Sequence, residues 1–250
     1  MKWVKYEREG AIVTITMNRP ERLNAWGADT SRDIGEAFQR YNDDEEARVA
    51  ILCGAGRSFC AGGDAKDYRE RQAPWSKSPQ DEMGIFGRGQ LFKPVVAAIQ
   101  GHCLGAGLLL IAMRCDIRIA AESAQFGLPE VAVGIMNCEV AISNQAIPLS
   151  VLMELTLTAD PIGARRAYEV GMVNKVVPDA DLMAEARRMA ERIAKNAPTA
   201  IALSKQNLLK AVEVSQEARQ LESDLFQRSS ASRDAIEGFS GVASKNRRTW

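Results

Sequence analysis

Two short apolar runs, each followed by a glycine-rich turn, constrain the fold of this chain more than any other feature. Residues 49–53 (VAILC) precede the tripeptide GAG at 54–56, and residues 95–99 (VVAAI) precede the turn 101–107 (GHCLGAG). Apolar runs of this length that end in glycine are typical of strands buried on both faces of a sheet. The stretch 108–113 (LLLIAM) is apolar all round, which predicts a helix buried on every side. Strands that alternate with helices predict an α/β fold.

The apolar pattern differs between the two ends of the chain. Before Pro178 there are two further strand patterns, at 11–17 and 115–120, and one helical pattern over 34–41. After Pro178 only helical stripes remain, and they predict three helices. These stripes run over 182–193, 201–212 and 218–226. We therefore expect an α/β core at 1–178 and a helical C-terminal region at 179–250, whose stripes need the core or another subunit as a partner.

Composition excludes several classes of function. The 32 basic and 32 acidic side chains cancel, so the overall charge favours neither nucleic acid nor a membrane surface as a partner. The longest apolar run, 104–113, is too short to span a bilayer, and the first residues carry no apolar signal core. A single histidine, His102, excludes a multi-histidine metal site. Five cysteines without metal-ligand spacing predict free thiols, no bound metal and a cytoplasmic location.

The two glycine-rich turns suggest a site for a developing negative charge. Residues 57–64 (RSFCAGGD) and 101–107 both place small residues where the backbone must approach another group closely. The second turn leads into the predicted buried helix, whose first N–H groups and dipole favour an anion. Two such donors converging on one oxygen would form an oxyanion hole. The alternative is that the glycines only serve tight turns and close packing.

Several segments, in order along the chain, resemble the enoyl-CoA hydratase/isomerase (crotonase) superfamily. The segments that carry this resemblance are 18–25 (NRPERLNA), 59–64 (FCAGGD), 101–107 (GHCLGAG), 124–130 (AQFGLPE) with 134–135, 164–167 with 171–177, and 234–238 (DAIEG). The resemblance implies a spiral of ββα units with a helical C-terminal region that serves trimerisation or acts as a lid. It also implies assembly as a homotrimer or a dimer of trimers.

The same resemblance assigns roles to individual residues. The backbone N–H groups of Gly63 and Ala106 would hold the oxygen of an acyl-CoA thioester, the expected substrate and partner. No cofactor is expected beyond the coenzyme A part of that substrate. The coenzyme A channel would be lined by Arg22, Ala61, Gly63, Asp64, Ala65, Lys66 and Ala106.

The acid and base groups depart from the pattern of the family's hydratases, which use two glutamates. Glu130 matches the second glutamate, whereas Leu109 stands where the first is expected, and leucine cannot move a proton. Glu139 is a further candidate, near the position where some isomerases of the family carry their acid; alternatively, it favours a helix N-terminus.

The sequence is compatible with three functions. The first is an enoyl-CoA hydratase-like lyase that works through a stabilised enolate, with Glu130 as the main acid and base. The second is an isomerase or hydratase-lyase that uses one glutamate. The third is a protein that binds acyl-CoA, or only assembles, without catalysis.

Overall fold

Six strands form one mostly parallel sheet. The computed structural model of the chain describes residues 1–64, 66–67, 91–137, 147–212 and 215–243. The strands are β1 (Val4–Glu9), β2 (Ile12–Met17), β3 (Val49–Gly54), β4 (Val95–Ile99), β6 (Ile117–Ala121) and β9 (Lys175–Val177). Their order is β1-β2-β3-β4-β6-β9, with only the β1–β2 pair antiparallel. The strand predictions for β2, β3, β4 and β6 are confirmed.

Three short strands form a second, smaller sheet. It contains β5 (His102–Leu104), β7 (Gln125–Gly127) and β8 (Ile162–Gly163), in the order β5-β7-β8. The chain passes from β4 in the large sheet to β5 in the small sheet, and later from β6 to β7. Each pair of strands is followed by a helical segment. This repeated step from one sheet to the other is the ββα spiral that the resemblance implied.

The described part of the chain also contains eight α-helices. They are α1 (Ala28–Asp43), α2 (Ala106–Arg114), α3 (Leu149–Thr158), α4 (Ala164–Glu169), α5 (Leu182–Ala194), α6 (Pro198–Ala211), α7 (Gln216–Ser230) and α8 (Arg233–Ala243). The predicted helices over 34–41, 108–113, 182–193, 201–212 and 218–226 are confirmed as α1, α2, α5, α6 and α7.

Strand alternation explains why both faces of the large sheet are apolar. Successive side chains of a strand point to opposite faces. In β3, Ala50 and Leu52 join the larger buried cluster, while Val49 and Ile51 join a second cluster formed with α5. The larger cluster also contains the start of α2, where residues 106–111 are all buried. The N-terminus of α2 therefore lies in surroundings of low dielectric constant.

Candidate active site

Asn24 anchors the first glycine-rich loop, residues 57–64. Its side chain is buried, and its Nδ2 donates to the carbonyl oxygens of Ala55 at 2.9 Å and Ser58 at 2.8 Å. Its Oδ1 accepts the Arg19 N–H at 2.8 Å. Asn24 has a φ of +54°, in the left-handed region that asparagine tolerates better than most residues. Sequence reasoning did not identify this role, although Asn24 lies in the segment 18–25.

A short parallel bridge joins the first loop to the second loop, residues 101–107. Cys60 pairs with Cys103: the Cys60 N–H donates to the His102 carbonyl at 2.8 Å, and the Leu104 N–H donates to the Cys60 carbonyl at 3.0 Å. A Cβ added at Gly107 would lie only 2.7 Å from the Cys60 Cβ. Glycine at 107 therefore lets the first turn of α2 pack directly on the first loop.

The two predicted N–H donors lie on this joined pair of loops. Gly63 is held by its neighbours, because the Trp26 N–H donates to the Gly62 carbonyl at 2.8 Å and the Asp64 N–H donates to the Trp26 carbonyl at 2.7 Å. Ala106 is the first residue of α2. Within the described part of the chain, neither the Gly63 nor the Ala106 N–H donates a hydrogen bond. No acceptor among the described residues thus occupies either donor.

The carboxyl group of Glu130 lies where the two loops meet. Glu130 is in the 3₁₀ turn Pro129–Val133, which follows β7. A Cβ added at Gly105 would collide with Glu130 Oε1 and would lie 3.6 Å from the Gly62 Cα. Gly105 also donates its N–H to the carbonyl of Gly127, the last residue of β7, at 2.8 Å. The small sheet therefore brings Glu130 next to the residue that precedes Ala106.

Burial controls the protonation of Glu130. Its Oε2 atom is buried and has no hydrogen-bond partner among the residues that the structure describes. Burial raises the pKa of Glu130 to about 7, and it outweighs a hydrogen bond to the residue's own backbone that lowers the pKa. A carboxyl group that titrates near neutral pH can both accept and donate a proton. A carboxyl group with a raised pKa and one buried oxygen that lacks a partner in the described ranges is typical of a functional site.

Asp64 follows Gly63 and is held in a network of charges. Arg19 Nη1 lies 2.8 Å from its Oδ2, and Arg22 Nη2 lies 3.2 Å from its Oδ1. The backbone N–H groups of Lys66 and Asp67 donate to Oδ1 at 3.0 and 3.3 Å. Burial raises the pKa of Asp64, but the Asp67 N–H, Arg19 and Arg22 together outweigh it and hold the pKa below its usual value. The ionised Asp64 thus fixes the end of the first loop.

Some of the remaining predicted site residues are described by the structure, and others are not. Ala61 is partly buried, donating its N–H to the Leu23 carbonyl at 3.0 Å, and Lys66 is exposed. Leu109 is buried in α2. The predictions for Ala65 and Glu139 lie outside the described residues.

The cysteines and the histidine near the loops do not form a reactive group. Burial raises the pKa of Cys60 to about 12 and raises that of Cys103 well above its usual value. Such thiols are not nucleophilic at neutral pH. His102 is exposed, and its Nδ1 lies 3.2 Å from Ser58 Oγ, a partner that sequence reasoning did not identify.

The described residues contain neither a cluster of metal ligands nor a helix that could span a membrane. No group of three or more histidine, cysteine, aspartate or glutamate residues suited to a metal ion occurs in the described ranges. None of the helices in those same ranges is long and apolar enough to cross a bilayer.

Comparison with known proteins identifies the family. The model of the enoyl-CoA hydratase/isomerase family matches residues 7–250. The chain is 37% identical over 216 residues to the short-chain-enoyl-CoA hydratase of Clostridium acetobutylicum, and the aligned region covers 83% of this chain and 81% of the relative. It is 35% identical over 252 residues to the carnitinyl-CoA dehydratase of Escherichia coli K12, covering 97% of this chain and 96% of the relative.

The fold agrees with these likenesses. The crystal structure of a carnitinyl-CoA hydratase from Mycobacterium avium matches with a TM-score of 0.90 at 33% identity, covering 100% of this chain and 98% of that one. The predicted crotonase-type α/β fold is therefore confirmed. Family model, relatives and structure agree that this chain belongs to the enoyl-CoA hydratase/isomerase family.

Proposed function

We propose that this protein interconverts enoyl-CoA and 3-hydroxyacyl-CoA thioesters through an enolate. One observation carries the proposal: the carboxyl of Glu130, whose buried Oε2 has no partner among the described residues, packs against Gly105, and the next residue, Ala106, has an N–H that donates to none of those residues. A proton-transfer group and an anion-stabilising donor thus occupy one site. The relatives named as a short-chain-enoyl-CoA hydratase and a carnitinyl-CoA dehydratase support this class of substrate.

In the proposed mechanism, the thioester carbonyl oxygen accepts the N–H groups of Gly63 and Ala106. Water adds to the β-carbon, and the electron pair of the C=C bond moves through the α-carbon onto that oxygen, giving the enolate. The two donors bind this anion more tightly than the neutral thioester, which lowers the barrier. Loss of one such donor typically costs about 3–4 kcal/mol of transition-state stabilisation.

Glu130 handles the protons in this scheme. Its carboxylate takes a proton from the attacking water, and the resulting carboxyl gives a proton to the α-carbon, so that Glu130 ends as it began. Dehydration runs the same steps in reverse. Because Leu109 stands where the first of the two glutamates is expected, Glu130 makes both transfers in turn. Its pKa of about 7 suits a group that must both take and give a proton.

Leu109 also supports a second candidate activity, movement of the double bond within the acyl chain. Isomerisation needs only one base, which removes a proton from one carbon and returns it to another. Water labelled with heavy oxygen distinguishes the two activities, because hydration incorporates the label into the product and isomerisation does not. Carbon–carbon cleavage after hydration would instead appear as a shortened acyl-CoA product.

We further propose that the coenzyme A part of the substrate lies along the first loop and that no other cofactor takes part. Arg22, with 44% of its side chain exposed, and the exposed Lys66 would supply positive charge to its phosphates. Ala61, Asp64 and Ala65 would line the same channel. The four described cysteines are buried free thiols, which supports a cytoplasmic location for this enzyme.

Self-assembly into a trimer, or a pair of trimers, is the remaining part of the proposal. Leu149, Met153 and Leu157 recur every four residues on α3, with exposed fractions of 56%, 51% and 73%. Such spacing places them on one helix face. An exposed apolar face of this kind favours an interface with a second copy. Light scattering coupled to size exclusion would measure a trimer or hexamer mass, and replacement of Met153 by glutamate should lower that mass.

The experiment that tests the catalytic proposal compares Glu130→Gln with Glu122→Gln. Glutamine keeps the size of the side chain but cannot exchange a proton, so turnover of crotonyl-CoA should fall by about 10²–10⁴-fold. Glu122 is exposed, and its substitution should leave turnover unchanged. Equal turnover by wild type and Glu130→Gln would overturn the assignment. Tight binding of acyl-CoA without any turnover by the wild type would identify a non-catalytic binding protein instead.

A further inference from the structure

Arg118 lies at the opposite end of the helix that carries the Ala106 donor. Its guanidinium donates to three backbone carbonyls: Ile111 through Nε at 3.2 Å, Cys115 through Nη2 at 3.3 Å and Met172 through Nη1 at 3.0 Å. Ile111 is in the C-terminal part of α2, and Cys115 is its C-cap residue. The side chain therefore caps the negative end of this helix dipole with a positive charge.

In the part of the chain that the structure describes, no ion pair neutralises this charge. Among the described residues, no carboxylate lies within ion-pair distance of Arg118, and its partners are all carbonyl groups. The nearby Asp116 is paired with Lys205, with Nζ and Oδ2 2.8 Å apart. Burial lowers the pKa of Arg118, but a guanidinium still remains charged at neutral pH.

We propose that Arg118 is a positioning residue that strengthens the anion-stabilising end of α2 by neutralising its other end. The inference rests on the proposed function, because it needs an enolate oxygen at the Ala106 N–H. Nine helical residues separate the two ends by ~13 Å. With an effective dielectric constant of about 20 to 40, one charge at this distance changes the stability of an anion by about three- to tenfold.

A ligand that ionises on the enzyme tests this effect without turnover. Acetoacetyl-CoA loses an α-proton to form an enolate that is visible in the near ultraviolet. Its pKa when bound therefore reports how well the site holds an oxyanion. Wild type should lower this pKa relative to the free ligand. Arg118→Met should raise the bound pKa by about half to one unit, the equivalent of a three- to tenfold loss.

Two further variants separate charge from structure. Arg118→Lys keeps the charge but loses the fork of donors, so it should melt at a lower temperature and yet keep the bound pKa near that of wild type. Arg165→Met removes an equal charge from a side chain that is 92% exposed and should change neither quantity. With an enoyl-CoA substrate, Arg118→Met should lower kcat with little change in KM, because the enolate charge develops only in the transition state.

The outcomes distinguish the two proposals. If wild type does not lower the pKa of acetoacetyl-CoA, the proposed function itself fails. If wild type lowers it and a folded Arg118→Met lowers it equally, Arg118 has only a packing role. If Arg118→Met does not fold, the lysine variant decides: loss of the pKa shift despite the retained charge would overturn the inference.

Discussion

The Cα of Gly105 packs so closely on the Glu130 carboxyl that a methyl group on Gly105 would collide with Oε1. The contact joins the residue before a proposed N–H donor to the proposed acid and base. It places a side chain from the segment after β7 against the turn after β5. Movement of either residue would disturb both parts of the proposed chemistry.

Gly105→Ala should therefore impair both stability and catalysis. Gly105 has a φ of +49°, so alanine would be strained there as well as in collision with Glu130. Gly10→Ala is the matched control, because Gly10 has a φ of +58° and open space around it. We expect a cost of about 1–2 kcal/mol for Gly10→Ala, from strain alone. Urea denaturation should show a larger decrease in the free energy of unfolding for Gly105→Ala than for Gly10→Ala. Only Gly105→Ala should have a lower kcat than the wild type.

Glu130→Gln should stabilise the protein at high pH. The folded-state pKa of about 7 lies above the usual 4.5, so the folded chain binds more protons than the unfolded chain between these values. The free energy of unfolding of the wild type should fall as the pH rises through this window. The glutamine variant avoids this loss of stability, so its free energy of unfolding should exceed that of the wild type by about 3 kcal/mol at pH 8 and by little at pH 4. An identical difference at both values would show that Glu130 does not titrate as stated.

The activity of the wild type should rise with pH through about 7. Glu130 must begin as a carboxylate to take a proton from water in hydration, and from the α-carbon in dehydration. A plot of kcat/KM against pH should therefore bend near the pKa of the free enzyme's Glu130, about 7. The same bend should be absent from the residual activity of Glu130→Gln. A rate that falls as the pH rises through 7 would assign the essential form to the protonated acid instead.

Asp64→Asn should loosen the first loop. Removal of the buried carboxylate takes away the ion pair of Arg22 and the shorter ion pair of Arg19, which keeps only Glu21 at 4.0 Å, and we expect a loss of about 2–4 kcal/mol at pH 7. Since the folded pKa of Asp64 is depressed, its stabilisation is present above the usual pKa of 3.8 and is lost as the pH falls below it. Denaturation should show that Asp64→Asn has a lower free energy of unfolding than the wild type at pH 7 and that the two become equal at pH 3. The exposed Asp160→Asn serves as the control and should match the wild type at both pH values.

Sequence patterns located the elements with strong periodicity and missed the short or polar ones. The strands β3 and β4 are apolar on both faces, and that pattern is readable without the fold. β1 is mostly exposed at the edge of the sheet, so its residues show no buried pattern. β8 has only two residues and exists because β7 supplies its partner. Short strands of this kind depend on tertiary contacts rather than on local preference.

In the candidate site, the sequence likewise revealed some features and not others. The two glycine-rich loops and Glu130 were identified from ordered motifs, but the physical reasons for their behaviour lie in distant contacts. The raised pKa of Glu130 needs burial against Gly105, 25 positions earlier in the chain. The Arg118 cap needs the Met172 carbonyl, 54 positions later. Pairings over such separations leave no trace in local periodicity.

The bridge between Cys60 and Cys103 limits which substitutions can alter the proposed site during evolution. It ties together two loops whose proposed donors are both main-chain groups, so a substitution that preserves the backbone leaves those donors in place. Heritable variation in the proposed reaction would then be confined to side chains near those donors, such as Glu130. A substitution of one such side chain can therefore change the reaction while the main-chain donors stay in place.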